Sequence, residues 1–192
     1  MSSAYDDDLW RLVPEDPGPP PAHLATFVRG LGPAGVALDL GCGDGRLSAL
    51  LDTGDLTLAE VSQVALDRAA RRLPAARAVL LDPDAALPLP DNAFDLVLCA
   101  ETIEHVRDVQ QLLSQARRVL RPGGRLAIAT PAHSRLTGLD VLVRGFERRF
   151  PPLSPHLRFL TRRSLRQLLA ELGFDARQLR RAGGSLLVVA TR

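Results

Sequence analysis

Lysine is absent from this 192-residue chain, and aromatic residues and cysteine are scarce. Each of these features limits the possible partners, core or cysteine sites of the protein. All 24 basic residues are Arg, and the formal net charge of +2 is too small to indicate a nucleic-acid partner by itself. Aromatic residues make up 4% of the chain, so Leu, Val and Ala must build the core. The two cysteines, Cys42 and Cys99, lack the spacing of a zinc site or a disulfide framework, which favours reduced packing residues.

Long apolar runs and a basic leader are missing as well. No apolar stretch approaches the roughly 20 residues that a membrane span needs. The acidic run from Asp6 to Asp8 lies where a secretion signal would carry positive charge. We therefore expect a soluble, cytoplasmic protein with no membrane partner, present as a monomer or a homodimer.

Short apolar runs alternate with helical patterns from residue 23 onward. The runs predict strands at 36–40, 56–60, 78–81, 94–99, 125–130, 176–179 and 185–190, and the helical patterns cover 23–31, 62–73, 109–120 and 161–172. Such alternation is typical of a mostly parallel sheet covered on both faces. We therefore predict one α/β domain over residues 23–192, preceded by a flexible, proline-rich N-terminal arm of residues 1–22.

A glycine-rich turn follows the first predicted strand, in the sequence Asp39-Leu40-Gly41-Cys42-Gly43-Asp44-Gly45. Glycines at alternate positions let the backbone turn sharply and approach a ligand closely. The spacing is GxGxG, whereas dinucleotide-binding turns have GxGxxG. The pattern therefore disfavours an NAD-binding protein.

Four segments in order resemble the class I S-adenosylmethionine (SAM)-dependent methyltransferases of the ubiquinone type. They are LDLGCGDGR from Leu38, the acidic strand end at Glu60, the segment from Asp84 to Asp95, and the RPGG turn from Arg121. The resemblance covers residues 36–190 and implies a Rossmann-like three-layer α/β/α sandwich. Its seven-stranded sheet would have the order 3-2-1-4-5-7-6, mostly parallel with an antiparallel last strand.

The same resemblance implies SAM as the cofactor and S-adenosylhomocysteine as its product. Glu60 would hold both ribose hydroxyls, and Val61 would pack on the adenine. Asp84 would accept from the adenine amino group, with Asp82 as the competing residue; the distance to Leu87 favours Asp84. The full set of predicted cofactor residues is Asp39, Gly41, Cys42, Gly43, Gly45, Glu60, Val61, Asp84, Ala85, Cys99 and Ala100.

Acidic residues and a histidine follow the fourth predicted strand, where the loop opens at the carboxyl edge of the sheet. His105 is the candidate base, with Glu101 as a second catalytic residue. Glu101, Glu104 and His105 resemble the ExxEH cluster of ubiquinone-pathway O-methyltransferases and of enzymes that 2′-O-methylate RNA 3′ ends. That resemblance implies a divalent metal completed by His156 or His133, although a metal-free site is favoured. The alternative is that these side chains only brace the next helix.

Residues 131–155 form a long insertion after the fifth predicted strand. Loops of this length in compact domains are usually functional. Apolar residues at helical spacing predict a substrate lid that closes together with Tyr5 and Trp10. The alternative is ordinary helix packing, with the two aromatic residues anchoring a flexible terminus.

The leading functional hypothesis is methyl transfer to oxygen or nitrogen of a small-molecule metabolite by in-line displacement. RNA 2′-O-methylation with the Glu-x-x-Glu-His metal cluster is the alternative, supported by eleven Arg against four acidic residues between Arg135 and Arg181. A third hypothesis is a catalytically silent partner protein with the SAM fold. The intact set of Asp39, Glu60 and Asp84 argues against it.

Overall fold

A seven-stranded sheet forms the centre of the molecule. The computed structural model describes residues 3–133, 137, 142–143 and 156–192. The strands are β1 (Ala34–Leu40), β2 (Thr53–Glu60), β3 (Arg77–Leu80), β4 (Phe94–Ala100), β5 (Leu120–Pro131), β6 (Asp175–Ala182) and β7 (Ser185–Thr191). Their order is β3-β2-β1-β4-β5-β7-β6; β1 to β5 are parallel, and β7 is antiparallel to both its neighbours. The predicted fold class and strand order are confirmed.

Five α-helices and a short 3-10 helix, Ser48–Leu50, accompany the sheet within residues 3–133 and 156–192. The α-helices are α1 (Ser3–Leu12), α2 (Ala22–Arg29), α3 (Gln63–Arg72), α4 (Val109–Val119) and α5 (Arg162–Glu171). The last four lie within two residues of the helices that the apolar spacing predicts. In the part of the chain that the structure describes, no helix has the length and apolar character to cross a membrane.

Side-chain caps determine where two of these helices begin. The Ser62 hydroxyl accepts the backbone N–H of Ala65 at 3.2 Å, which confirms the predicted cap of α3. Thr161 caps α5 through the backbone N–H of Ser164, and the Ser164 hydroxyl accepts the backbone N–H of Thr161 in return. Each cap satisfies a backbone donor that the first helical turn leaves without a partner.

Both faces of the sheet are covered by apolar side chains. Leu38 and Leu40 of β1 pack with residues of α4 and α5 on one face, and Ala37 packs with α2 on the other. Burial on both faces explains why the strands appear in the sequence as continuous apolar runs and not as alternating patterns. Cys42 and Cys99 are buried and free, as their spacing predicted.

The first 22 residues contain a helix that the sequence analysis missed. Helix α1 packs against α3, and the Arg68 guanidinium of α3 donates to the carbonyls of Val13 and Pro14. The predicted arm is therefore structured over Ser3–Leu12, whereas its flexibility stays a prediction. The lid predicted within 131–155 falls mostly outside the described residues and also stays a prediction.

Candidate active site

A cavity of about 560 Å³ opens at the carboxyl ends of β1, β2 and β4. This edge, where β1 has β2 on one side and β4 on the other, is where open α/β sheets bind ligands. Ten predicted site residues line the cavity: Asp39, Gly41, Cys42, Gly43, Glu60, Val61, Ala85, Ala100, Glu101 and His105. Gly45, Asp84 and Cys99, which were predicted to bind the cofactor, are not among the lining residues.

Each glycine of the loop after β1 lies so close to another residue that a side chain would have little or no room there. At Gly41, with φ of +81°, a Cβ would lie 2.3 Å from the Thr102 side chain. At Gly43, with φ of +53°, a Cβ would lie 2.8 Å from Trp10 Cζ2. The missing Cβ of Gly45 would instead meet a residue of α3 at 3.2 Å. Gly45 therefore lets the loop pack on α3 and does not line the cavity.

Asp39 lies near the end of β1 and is only 2% exposed. The Ser48 hydroxyl donates to its Oδ2 at 2.6 Å. Burial raises the pKa of Asp39 to about 7; the hydrogen bond from Ser48 opposes this rise, and repulsion from Glu60 adds to it. A positive charge nearby would favour the ionised carboxylate, so this position suits a cationic ligand group.

Glu60 ends β2 and binds the glycine-rich loop through its carboxylate. Oε2 accepts the backbone N–H of Gly43 at 2.9 Å, and Oε1 accepts those of Val61 and Ser62 at 2.8 and 3.1 Å. The pKa of Glu60 is raised overall because the side chain is buried, and these three hydrogen bonds oppose the rise. Because a carboxylate has about four acceptor sites, the three bonds leave capacity for about one more donor. This arrangement leaves an acceptor site for a ligand hydroxyl, and the predicted contact with both ribose hydroxyls stays a prediction.

The segment between β3 and β4 places Asp82, and not the preferred Asp84, at the cavity. Asp84 is exposed, and its carboxylate pairs with the Arg107 guanidinium at 2.5 Å. Asp82 lines the cavity, and its Oδ1 accepts the backbone N–H of Asp84 at 2.9 Å. This local turn, of a kind that aspartate favours, directs the Asp84 side chain outward. Ala85 lines the cavity as predicted.

Glu101 follows β4 directly and faces the cavity. Its φ of 54° is rare for a residue with a side chain. Burial raises the pKa of Glu101 to about 7; repulsion from Glu104 adds to the rise, and His105 opposes it. Cys99 lies within β4 and is only 1% exposed, so its side chain belongs to the core.

Glu104, His105 and His156 come close enough to hold a metal ion, since one ligand atom from each lies within 4.8 Å of the others. The two histidine rings make an edge contact with centroids 4.8 Å apart. Oε2 of Glu104 accepts from the Thr130 hydroxyl at 2.9 Å, and burial raises the pKa of Glu104 to about 7. Glu101 is not part of this group, so three of the four predicted metal residues come together.

Helix α1 contributes side chains that the sequence analysis did not fully anticipate. Tyr5, Asp6, Leu9 and Trp10 all line the cavity, and burial raises the pKa of Asp6. Tyr5 and Trp10 were predicted to lie near the site from the sequence, whereas Asp6 and Leu9 were not. The signal was present: two pairs of residues four apart mark one face of a helix.

Comparison with known proteins agrees with this geometry. A family model described as a methyltransferase domain matches residues 38–128. Malonyl-[acyl-carrier protein] O-methyltransferase of Methylococcus capsulatus is 33% identical over 184 residues, which cover 90% of this chain and 60% of that protein. Residues 38–128 therefore form a methyltransferase domain, and the chain is similar to class I methyltransferases.

Two further proteins are similar to this chain, one in sequence and one in structure. The 27-O-demethylrifamycin SV methyltransferase of Amycolatopsis mediterranei is 39% identical over 99 residues, 47% of this chain and 36% of that protein. The crystal structure of a SAM-dependent methyltransferase from Aquifex aeolicus has a TM-score of 0.67 at 18% identity, covering 98% of this chain and 96% of that one. The latter likeness shows the fold alone. The chain spans about a third to three fifths of the length of the curated relatives it matches.

Proposed function

We propose that this chain binds SAM in the cavity and transfers its methyl group to oxygen or nitrogen of a small-molecule metabolite. The observation that carries the proposal is that one cavity contains two groups of residues. The Gly41–Gly43 loop with the acids Asp39 and Glu60 suits the cofactor. Glu101 and His105, which follow β4, suit an acceptor that must lose a proton.

The donor set fits SAM. The α-amino group and the sulfonium are cationic, and buried Asp39 gains from a positive charge near it. Glu60 has capacity for about one ribose hydroxyl. Val61 packs against the adenine, and Asp82, in place of the predicted Asp84, accepts from its amino group. The backbone of Cys42, Ala85 and Ala100 completes the cofactor wall.

When bound, SAM supplies an electrophilic methyl carbon, and the enzyme must position a nucleophile in line with it and exclude water. His105, or Glu101 in its place, takes the one proton that the acceptor hydroxyl or amine loses as its new bond to carbon forms. A carboxyl whose pKa lies at about 7 is poised for this role near neutral pH. The predicted lid of residues 131–155 would cover the acceptor. The cytoplasmic location and the monomeric or homodimeric state stay predictions.

A second candidate function is metal-assisted 2′-O-methylation of RNA. It is favoured by the proximity of Glu104, His105 and His156. In this version the metal would bind at these side chains and lower the pKa of the attacking hydroxyl. The absence of Glu101 from the group favours the metal-free proposal.

Calorimetric titration with SAM and with S-adenosylhomocysteine, each with and without Mg²⁺, tests the proposal. We expect micromolar binding of both ligands without Mg²⁺. Glu60→Ala should weaken binding by roughly 1–3 kcal/mol, because a charge-assisted acceptor is lost. Asp55→Ala is the matched control, since Asp55 is an exposed acid of the same strand.

Each result of this titration has a defined meaning. A requirement for Mg²⁺ would favour the metal-assisted alternative. Binding that Glu60→Ala leaves unchanged would place the ribose elsewhere. No binding of either ligand would overturn the proposal and favour the silent partner protein.

A further inference from the structure

Helix α1 lies outside the residues 38–128 that match the family model, yet it forms one wall of the cavity. Its contribution consists of Tyr5, Asp6, Leu9 and Trp10. The family model therefore assigns no role to this helix.

The first contact joins Trp10 to the glycine-rich loop. Cζ2 and Cη2 of Trp10 lie 2.8 and 2.9 Å from where a Cβ of Gly43 would stand. The indole therefore packs directly on the loop backbone, which itself lines the cavity. Any ligand that lies along this loop also meets the indole.

The second contact fixes α1 to the start of α3. Oδ1 of Asp7 accepts from the Ser62 hydroxyl at 2.6 Å and from the Val64 backbone N–H at 3.2 Å. Asp7 thereby satisfies a free backbone donor of the first turn of α3, beside the cap that Ser62 provides. A carboxylate at this end of a helix is also favoured by the helix dipole.

Contacts further along the chain hold the segment after α1. The Arg68 guanidinium donates to the Val13 carbonyl at 3.0 Å, and the Arg46 guanidinium donates to the Gly18 carbonyl at 3.1 Å. These bonds lie beyond the helix, so Asp7 is the described residue through which α1 itself hydrogen-bonds to α3.

We infer that α1 is a wall of the cofactor site, in which Trp10 and Leu9 contact the bound cofactor and Asp7 is the positioning residue that holds them there. This inference rests on the proposed function for the identity of the ligand. Loss of the Asp7 bonds should let α1 move away from the cavity. Bound cofactor would then leave faster, while the strand-end acids that bind it stay in place.

The test is stopped-flow dissociation of S-adenosylhomocysteine from the full chain, observed through Trp10, the one tryptophan in the sequence. Asp7→Ala should raise the dissociation rate about tenfold, the factor expected for one lost charge-assisted hydrogen bond. The matched control is Asp8→Ala, because Asp8 is exposed and bonds Arg11 of the same helix. This control should leave the rate within about twofold, as for a surface ion pair.

Acrylamide quenching of Trp10 in the ligand-free protein is the second measurement, and Asp7→Ala should increase it while Asp8→Ala should not. Equal dissociation rates in Asp7→Ala and wild type, or equal increases in both variants, would overturn the inference. Should Asp7→Ala fail to fold, Asp7→Asn, which keeps an acceptor oxygen but loses the charge, should show a smaller increase of the same kind. If the wild type binds no ligand, the proposed function fails, but quenching still decides whether Asp7 holds α1.

Discussion

Gly43 occupies the point where the glycine-rich loop, helix α1 and the cavity meet. Its φ of +53° costs roughly 1–2 kcal/mol for an L-residue, and a Cβ would stand 2.8 Å from Trp10. Gly43→Ala should therefore strain the loop, displace the indole and weaken SAM by at least about tenfold, which titration calorimetry and Trp10 emission would measure.

Gly123 is a matched control that separates backbone strain from the loss of SAM binding. Gly123 has a similar φ of +78° but nothing within 4 Å of its Cβ position. Gly123→Ala should thus lower the free energy of unfolding through backbone strain and leave SAM affinity unchanged. If both variants bound SAM like the wild type, Gly43 would have no part in the cofactor site.

Asp82 and Asp84 provide a comparison between neighbours. Asp82 lines the cavity, whereas Asp84 is exposed and paired with Arg107. Asp82→Ala should weaken SAM binding by roughly 1.5–3 kcal/mol, the cost of one lost hydrogen bond to a charged acceptor, and Asp84→Ala should not change the affinity for SAM. The opposite ranking in calorimetric titration would restore the residue that the sequence favoured.

Only some of the residues that line the cavity could be predicted from the sequence. Asp39 and Glu60 could be predicted to line the cavity because each lies at or next to the end of a buried apolar run, where a parallel sheet exposes its carboxyl edge. The choice between Asp82 and Asp84 depended on one hydrogen bond in a turn, from Asp84 N–H to Asp82 Oδ1. The spacing between these aspartates and Leu87 does not show which of the two side chains the turn directs into the cavity.

At the scale of elements, helices α2 to α5 were predictable from apolar spacing and capping residues, as Ser62 and Thr161 illustrate. Helix α1 was not, because a ten-residue segment with three consecutive aspartates is marginal as an isolated helix. Its stability comes from packing against α3, a contact between segments some 55 residues apart that no local pattern encodes. The order of the strands followed from the family resemblance and not from the periodicity.

At the scale of the whole molecule, buried acids gather in and beside the cavity. Burial raises the pKa of Asp39, Glu101 and Glu104 to about 7. In the unfolded chain such groups titrate at about 4, so between pH 4 and 7 the folded state binds more protons. Their contribution to stability is fully present below the unfolded pKa and is lost as the pH rises through about 7. His156, whose pKa burial lowers, acts in the opposite direction, whereas Asp6 and Glu60, whose pKa burial raises, act in the same direction as these three acids.

Thermal denaturation of the ligand-free protein should therefore give a lower Tm at pH 7.5 than at pH 5.5. Glu104→Gln, which removes one of the three titrations but keeps an acceptor for the Thr130 hydroxyl, should reduce that difference. Saturating SAM should reduce it as well, because a cation in the cavity stabilises the ionised carboxylates. A Tm that rises over this range in the ligand-free protein would mean that these carboxyls are already ionised in the fold, and that the cavity has no electrostatic need for a cationic cofactor.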